Sequence, residues 1–248
     1  MSSPDLLERA WAAGFFDAEG SFSYAHAGRG RRRAQVSVSQ GGDRYPDTLD
    51  RFCNAVGGMG CKLRVPARGY LFYWYSHRHD VVRAVGMLLW PWLGADKRDE
   101  FESVMRLADG HWLEPLAPVA VSSMEELAWA AGLFDGEGSV TTSRSARSRT
   151  IEACLPQSAA AGIPNVLERF QRAVARGRIY GPRKRSDPWS KLPQYRWRST
   201  NITDVCTTIE MLWPWLCEAK RNQTVNALER YGPRRARQSR SADRVAQQ

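Results

Sequence analysis

The chain writes one phrase twice: WAAGFFDAEGSF from Trp11 to Phe22, and WAAGLFDGEGSV from Trp129 to Val140. The offset is 129 − 11 = 118 residues, and it recurs. Pro46 and Pro164 precede the similar stretches TLDRFCNAVGG and NVLERFQRAVARG, and Val56 stands against Val174 at the same spacing. Further on, YWYS and RWRS set Trp74 against Trp197, while LLWPWLGADKR and MLWPWLCEAKR set Trp90 against Trp213 and Lys97 against Lys220, all at 123. The difference, 123 − 118 = 5, places an insertion between Arg178 and Trp197, in GPRKRSDPWSKLPQ. Repeats this long are not solenoid units, so the chain is read as a duplicated domain with an internal pseudo-two-fold relation. The predicted division is a first half at 1–106, a linker rich in proline and small residues at 107–123, a second half at 124–230 and a basic tail at 231–248.

Within each half the patterns come in one order. Residues 5–18 read as a helix, with Leu6, Leu7, Ala10, Trp11, Gly14 and Phe15 toward one side. SFSYAHA and RAQVSVSQ read as two strands around the basic turn GRGRRR. A helix from Asp47 to Val56 follows, then a strand pair, CKLRV and YLFYWYS, then helical sequence broken at Pro91, whose ring cannot continue the hydrogen-bond ladder. The fold class is therefore α+β, as two αββαββα halves.

Charge narrows the partners. The chain carries 36 Lys+Arg against 26 Asp+Glu, a net +10 with pI near 9.7. The last 18 residues hold five arginines and one aspartate, 5 − 1 = +4, so the body keeps 10 − 4 = +6. A basic body favours a polyanion, although solubility alone accounts for a modest excess. Five cysteines with no CxxC pair exclude a disulfide framework and a cysteine zinc site, and read as thiols of a reducing compartment. The opening MSSPDLLERA lacks a signal-type apolar core, and no apolar run reaches the ~18 residues of a membrane span, so an intracellular site is expected, in cytoplasm or nucleoid or in an organelle.

The repeated phrase is costly unless it has a use. Glycine in a helix costs ~1 kcal/mol relative to alanine. Yet Gly14 and Ala18 in the first copy, and Gly132 and Gly136 in the second, lie four apart and share one face, where small residues let two backbones approach closely. The two copies are each other's natural partners. Each helix then ends in Glu19 or Glu137, followed by glycine, and a helix C-terminus is the wrong place for a carboxylate. Two such ends facing each other repel, a cost removed by divalent cations between them, and hard oxygen ligands suit Mg²⁺. For a single DAEG the alternative is a solvated residue after a helix cap; duplication at one spacing favours the shared site. Asp17 and Asp135, two positions back, are read as braces of the helix interface.

The pattern Ala12 to Gly20, repeated at Ala130 to Gly138, resembles the signature of the LAGLIDADG homing endonucleases, in the branch that carries both motifs on one chain. The resemblance covers about residues 1–230 and includes the element order. It implies a monomer in which two antiparallel sheets form a DNA-binding saddle, and an activity that hydrolyses both strands of a long, rare double-stranded DNA target, as an intron-encoded meganuclease does. It implies Mg²⁺, with Mn²⁺ substituting, held by Glu19 and Glu137 and by the backbone carbonyls of Ala18 and Gly136. It places Gln40, Gln157, Lys97 and Lys220 at the positions where the family keeps catalytic glutamines and lysines, and Pro156, directly before Gln157, predicts a distorted strand there. Cleavage would follow two-metal phosphodiester hydrolysis. The alternative is a nucleic-acid-binding protein on this scaffold, an intron RNA maturase or a transcription regulator. An enzyme unrelated to nucleic acid fits poorly: HRHD at 77–80 reads as a helix start, and VGGMG at 56–60 lacks the full dinucleotide fingerprint.

Strand alternation then separates a DNA face from a core face. Ala34, Val36 and Val38 read as core, leaving Arg33, Gln35, Ser37 and Ser39 opposite. By the same rule Lys62 and Arg64 oppose Leu63 and Val65, Tyr73 and Tyr75 oppose Trp74, and Arg196 and Arg198 oppose Trp197. Polar, arginine-rich hairpin faces suit a major groove, the alternative being a solvated sheet face. Phosphate-contacting charge is expected from the turns and the insertion: Arg31, Arg32, Arg68, Arg144, Arg147, Arg149, Arg178, Tyr180, Arg183, Arg185 and Lys191.

Overall fold

The computed structural model describes residues 6–26, 32–63, 70–109, 121–144, 149–184 and 192–232. The first half runs α1 (Leu6–Glu19), β1 (Gly20–His26), β2 (Arg32–Gly41), α2 (Asp47–Ala55), β3 (Cys61–Leu63), β4 (Leu71–Ser76), α3 (His79–Leu89) and α4 (Ala95–Asp109). The second repeats it: α5 (Ser123–Glu137), β5 (Ser139–Arg144), β6 (Arg149–Ser158), α6 (Asn165–Val174), β7 (Arg178–Arg183), β8 (Gln194–Ser199), α7 (Ile202–Leu212) and α8 (Glu218–Tyr231). Each half thus closes with two helices, parted at Pro91 and at Pro214. α4 continues to Asp109, three residues into the stretch expected to be linker, and Ser123 already opens α5 under an Ser122 side-chain cap.

Each half holds one antiparallel four-stranded sheet, ordered β1-β2-β4-β3 in the first and β5-β6-β8-β7 in the second. The registers superpose. Val38 faces Trp74 and Leu155 faces Trp197, so within the second strands the offset is 155 − 38 = 117, one residue shorter than in the helices before and after. At that offset Gln157 is the counterpart of Gln40, and β6 runs unbroken through Pro156. The expected distortion is absent because β5 pairs no further than Cys154: beyond it β6 has an open flank, where a missing N–H breaks no ladder bond.

Helices cover one face of each sheet. Trp74 and Trp197 are fully buried there, each meeting a phenylalanine of the covering helix edge-on, Phe52 and Phe170, with centroids 4.9 Å apart and planes at 73° in both halves. Each indole N–H donates at 2.8 Å to a loop carbonyl, Met59 or Arg176. Ala34, Val36 and Val38 lie on this covered face, as alternation predicts. Among the described residues no helix is long and apolar enough to cross a membrane.

Candidate functional site

α1 and α5 are buried on every side from Ala10 to Asp17 and from Ala128 to Asp135, and they pack on each other. The small residues act at that contact. A Cβ on Gly14 would lie 1.9 Å from the carbonyl oxygen of Trp129, and one on Gly132 would lie 1.9 Å from that of Trp11. A Cβ on Gly136 would lie 2.5 Å from the Cβ of Ala18. The two helix backbones therefore touch, and no side chain fits between them.

Polar locks flank the glycines. The Trp11 indole donates to Asp135 at 2.8 Å and the Trp129 indole to Asp17 at 2.8 Å, so each half's tryptophan is satisfied by the other half's carboxylate. Asp17 also accepts from the Gly94 amide, and Asp135 from the Cys217 amide, each at 2.9 Å. Burial raises Asp17 to about 7 despite these donors, and raises Asp135 in the same direction. Outside them, the Arg51 guanidinium lies 3.9 Å from the Trp11 ring, and Arg169 lies 3.9 Å from Trp129. Arg51 pairs with Glu8 and donates to the Trp215 carbonyl of the other half; Arg169 pairs with Glu126 and donates to that of Trp92. These arginines were not singled out in the sequence, although they recur at 118 like the motif itself.

The two helices end together. Glu19 closes α1 and Glu137 closes α5, and Glu19 lies against the other helix: a Cβ on Gly136 would be 3.1 Å from its Cγ. Burial, and then the neighbouring Glu137, push the Glu19 carboxyl up to about 7, partly opposed by Lys220. Burial likewise raises Glu137. Two half-buried acids sharing one site are held only by protons or by a cation. Among the described residues no cluster of three or more His, Cys, Asp or Glu side chains forms, so a cation here takes its other oxygens from main-chain carbonyls, water or a ligand.

Beside the acids the halves differ. Lys220, nearly buried, donates to the Gly138 carbonyl; burial lowers its pKa, while Asp135 and Glu19 act to raise it. Its counterpart Lys97 is ion-paired with Glu100 at 2.7 Å. Glu100 and Gln223 occupy one position at the offset of 123, and both accept an amide at the start of a first strand, from Phe22 at 3.1 Å and from Val140 at 3.3 Å. Only Glu100 carries a charge with which to hold a lysine. The glutamines diverge too. Gln40 is bonded to Thr48, whereas valine stands at the equivalent 166, and the buried Gln157 amide nitrogen has no partner among the described residues. A cavity of ≈660 Å³ brings Gln40 of the first half together with Gly136, Lys220 and Gln223 of the second.

The other face of each sheet is the more open one, although Cys154 and Gln194 are buried on it. In the first it presents Arg33, Gln35, Ser37, Ser39, Tyr73 and Tyr75; in the second, Arg178, Tyr180, Arg196 and Arg198. Arg183 is exposed past an irregularity in β7. Two expectations fail. Lys62 pairs in register with the buried Trp74, so it points to the covered side, where it meets Asp50 of α2 at 2.5 Å. Arg149 shares the parity of buried Ile151 and Ala153 and turns to the C-terminus of α8, donating to the carbonyls of Tyr231 and Gly232, a favourable end for a cation. Arg32 and Arg144 are placed by backbone alone, at the start of β2 and the end of β5; Arg31, Arg64, Arg68, Arg147, Arg185 and Lys191 lie outside the described residues.

No protein-family model and no curated protein matches the sequence. Solved structures do. LAGLIDADG meganuclease I-AabMI bound to uncleaved DNA matches with a TM-score of 0.66 at 14% identity over 90% of both chains. LAGLIDADG homing endonuclease I-GzeII in complex with its DNA target matches with a TM-score of 0.61 at 13% identity, over 89% of this chain and 88% of that one. I-SmaMI bound to uncleaved DNA target in the presence of calcium ions matches with a TM-score of 0.55 at 16% identity over 89% of both. The resemblance written twice in the sequence and the architecture converge: the chain has the two-motif fold of the LAGLIDADG homing endonucleases.

Proposed function

We propose that this protein is a site-specific endonuclease that cuts both strands of a long double-stranded DNA target with a divalent cation, Mg²⁺ by preference. The observation that carries the reading is the meeting of Glu19 and Glu137 at the joined ends of α1 and α5, where, among the described residues, Lys220 is the cation that opposes their repulsion. The residues fit a hard cation: two carboxylates, with the carbonyls of Ala18 and Gly136 in the same turn. A cation there would neutralise charge on the attacking and leaving oxygens of a phosphodiester.

The chain's own groups supply the rest. Lys220 sets an ammonium beside the acids, where it stabilises the charge that builds on phosphate during attack by water. Gln40 lies in the same cavity as Lys220 and orients that water; by the repeat, Gln157, with its unpartnered amide nitrogen, takes the same part in the second centre, which Lys97 serves. Attack breaks one phosphorus–oxygen bond and leaves a phosphate end and a hydroxyl end. The open faces of the two sheets hold the duplex, with a polar and cationic surface toward the grooves.

A direct test is cleavage of a large random-sequence duplex library in Mg²⁺, with captured ends sequenced and a Glu19→Gln, Glu137→Gln double variant in parallel. Ends converging on one long sequence, cut on both strands by the parent only, are expected. A sequence enriched by binding but left intact in Mg²⁺ and Mn²⁺ would make the acids structural and the protein a DNA-binding scaffold.

A further inference from the structure

The two open sheet faces share one lattice but not one chemistry. On the first, the row across the sheet reads Ser21, Ser37, Tyr75, Cys61; on the second, the equivalent row reads Ser139, Cys154, Arg198, Arg178. One step along, Tyr73 of β4 is answered by Arg196 of β8, and Gln35 of β2 by Glu152 of β6. Among the described open-face rows the first sheet offers hydroxyls, an amide and Arg33 at its margin, while the second gathers three arginines on neighbouring strands. Arg178 and Arg198 are direct cross-strand partners, an arrangement that repels and that solvent alone does not reward.

The arginines are also set in place. The Arg196 Nε donates to the Gln194 side-chain oxygen at 2.8 Å, a bond that does not use the terminal nitrogens. One terminal nitrogen of Arg198 is held by Glu152 at 2.7 Å, which restrains its guanidinium. A guanidinium fork restrained in this way matches two adjacent acceptors, and in the major groove guanine alone offers such a pair, N7 and O6, on one base. Preorganisation of this kind adds to affinity because less side-chain freedom is lost on binding. By contrast Ser21, Ser37 and Ser39 accept or donate to either kind of base, and Gln35 matches adenine.

Resting on the endonuclease reading, we infer that the DNA target is chemically lopsided: the half lying under β5–β8 is read through a cluster of guanines by Arg196, Arg198 and Arg178. The half under β1–β4 is read through adenine at Gln35 and by more permissive contacts. The strongest base requirements of the target thus fall in one half, under β5–β8.

The test separates this from the activity by removing cleavage. Duplexes with a long randomised core are selected on the full chain in EDTA, and the bound pool is sequenced for the parent, Arg198→Ala, Arg196→Lys and Gln35→Ala, each checked for its circular dichroism. The expected result is guanine enrichment confined to one half. Arg198→Ala and Arg196→Lys each relax one or two of those positions by about 5- to 150-fold, and Gln35→Ala relaxes a position in the other half only. Arg196→Lys keeps the charge without the fork, so a uniform loss of affinity across all sequences would mark the arginines as phosphate contacts and overturn the inference; so would an enriched half without guanine. If the selected sequence is cut in Mg²⁺ while its profile is unmoved by the arginine variants, the inference falls and the nuclease reading stands. If nothing is selected and nothing is cut, both fall.

Discussion

The two halves are alike where they hold each other and unlike beside the paired acids. At the joint, Trp11, Asp17, Gly14 and Arg51 find their counterparts in Trp129, Asp135, Gly132 and Arg169 with the same partners and nearly the same distances. Beside the acids, Lys97 is paired with Glu100 while Lys220 shares a cavity wall with Gln223, and Gln40 is tied to Thr48 while the Gln157 amide nitrogen has no partner among the described residues. Packing at van der Waals contact tolerates no drift, because a single added carbon collides with backbone. The polar groups beside the joint have no such constraint, so each copy is free to diverge there.

The comparison breaks first at the glycines. Gly14→Ala and Gly132→Ala each force a methyl to within 1.9 Å of a carbonyl oxygen, and the two helices must part. Overpacking of this severity costs about 3 kcal/mol or more, a fall in Tm of at least roughly 6 °C, and the two variants should fall alike. A thermal melt that leaves either within about 2 °C of the parent would show that the joint is not symmetric after all.

Next comes the charge beside the lysines. Glu100→Gln releases Lys97, and Gln223→Glu gives Lys220 the partner it lacks. With strand-specific end labels on a cleaved duplex, Glu100→Gln is expected to bring the slower strand closer to the faster by about five- to tenfold, and Gln223→Glu to slow the strand served by Lys220 by a similar factor. Equal effects on both strands would mean that Glu100 only anchors the Phe22 amide.

The smallest effect is in pH. Glu19 sits near 7 in the fold against an ordinary 4.5, so the folded protein holds that proton more tightly than the unfolded chain. The stability it contributes is complete below about 4.5 and is lost as pH rises toward 7; Asp17, Asp135 and Glu137, all raised, act in the same sense. Metal-free protein should melt progressively lower across that window. Glu19→Gln should remove up to one proton's worth of the slope and Glu137→Gln less, while Mg²⁺ should recover stability at pH 7 and above by taking the proton's place. A slope identical in parent and Glu19→Gln would show that Glu19 is solvated.

Much of this was legible in the sequence, for a physical reason. A phrase repeated at one spacing reports helices that must match each other, and alternation in β2, β4 and β8 follows burial because Val36, Val38, Trp74 and Trp197 have no other place to go. The proline at 91 marked a true break. What escaped is what alternation cannot decide. In the short edge strand β3, Leu63 outweighed Lys62 as a guide to the core, yet the register is set by Trp74, and the long lysine stem reaches across to Asp50. Arg149 looked like part of a basic turn until a helix end five elements later supplied carbonyls for it. Glu100 carried no signal as a repeat because its counterpart is glutamine; the charge that matters there is the one that was not duplicated.

The crossed bonds between tryptophan and aspartate have a further consequence. Each half brings one donor and one acceptor to the joint, so the crossed bonds are self-complementary and a second copy of either half could form them. Nothing in that lock distinguishes the two. What unites unlike halves is their covalent connection, which holds them at an effective concentration that free copies do not reach. The tether keeps the molecule asymmetric, together with the Ala18–Gly136 contact, which leaves no room for a second alanine.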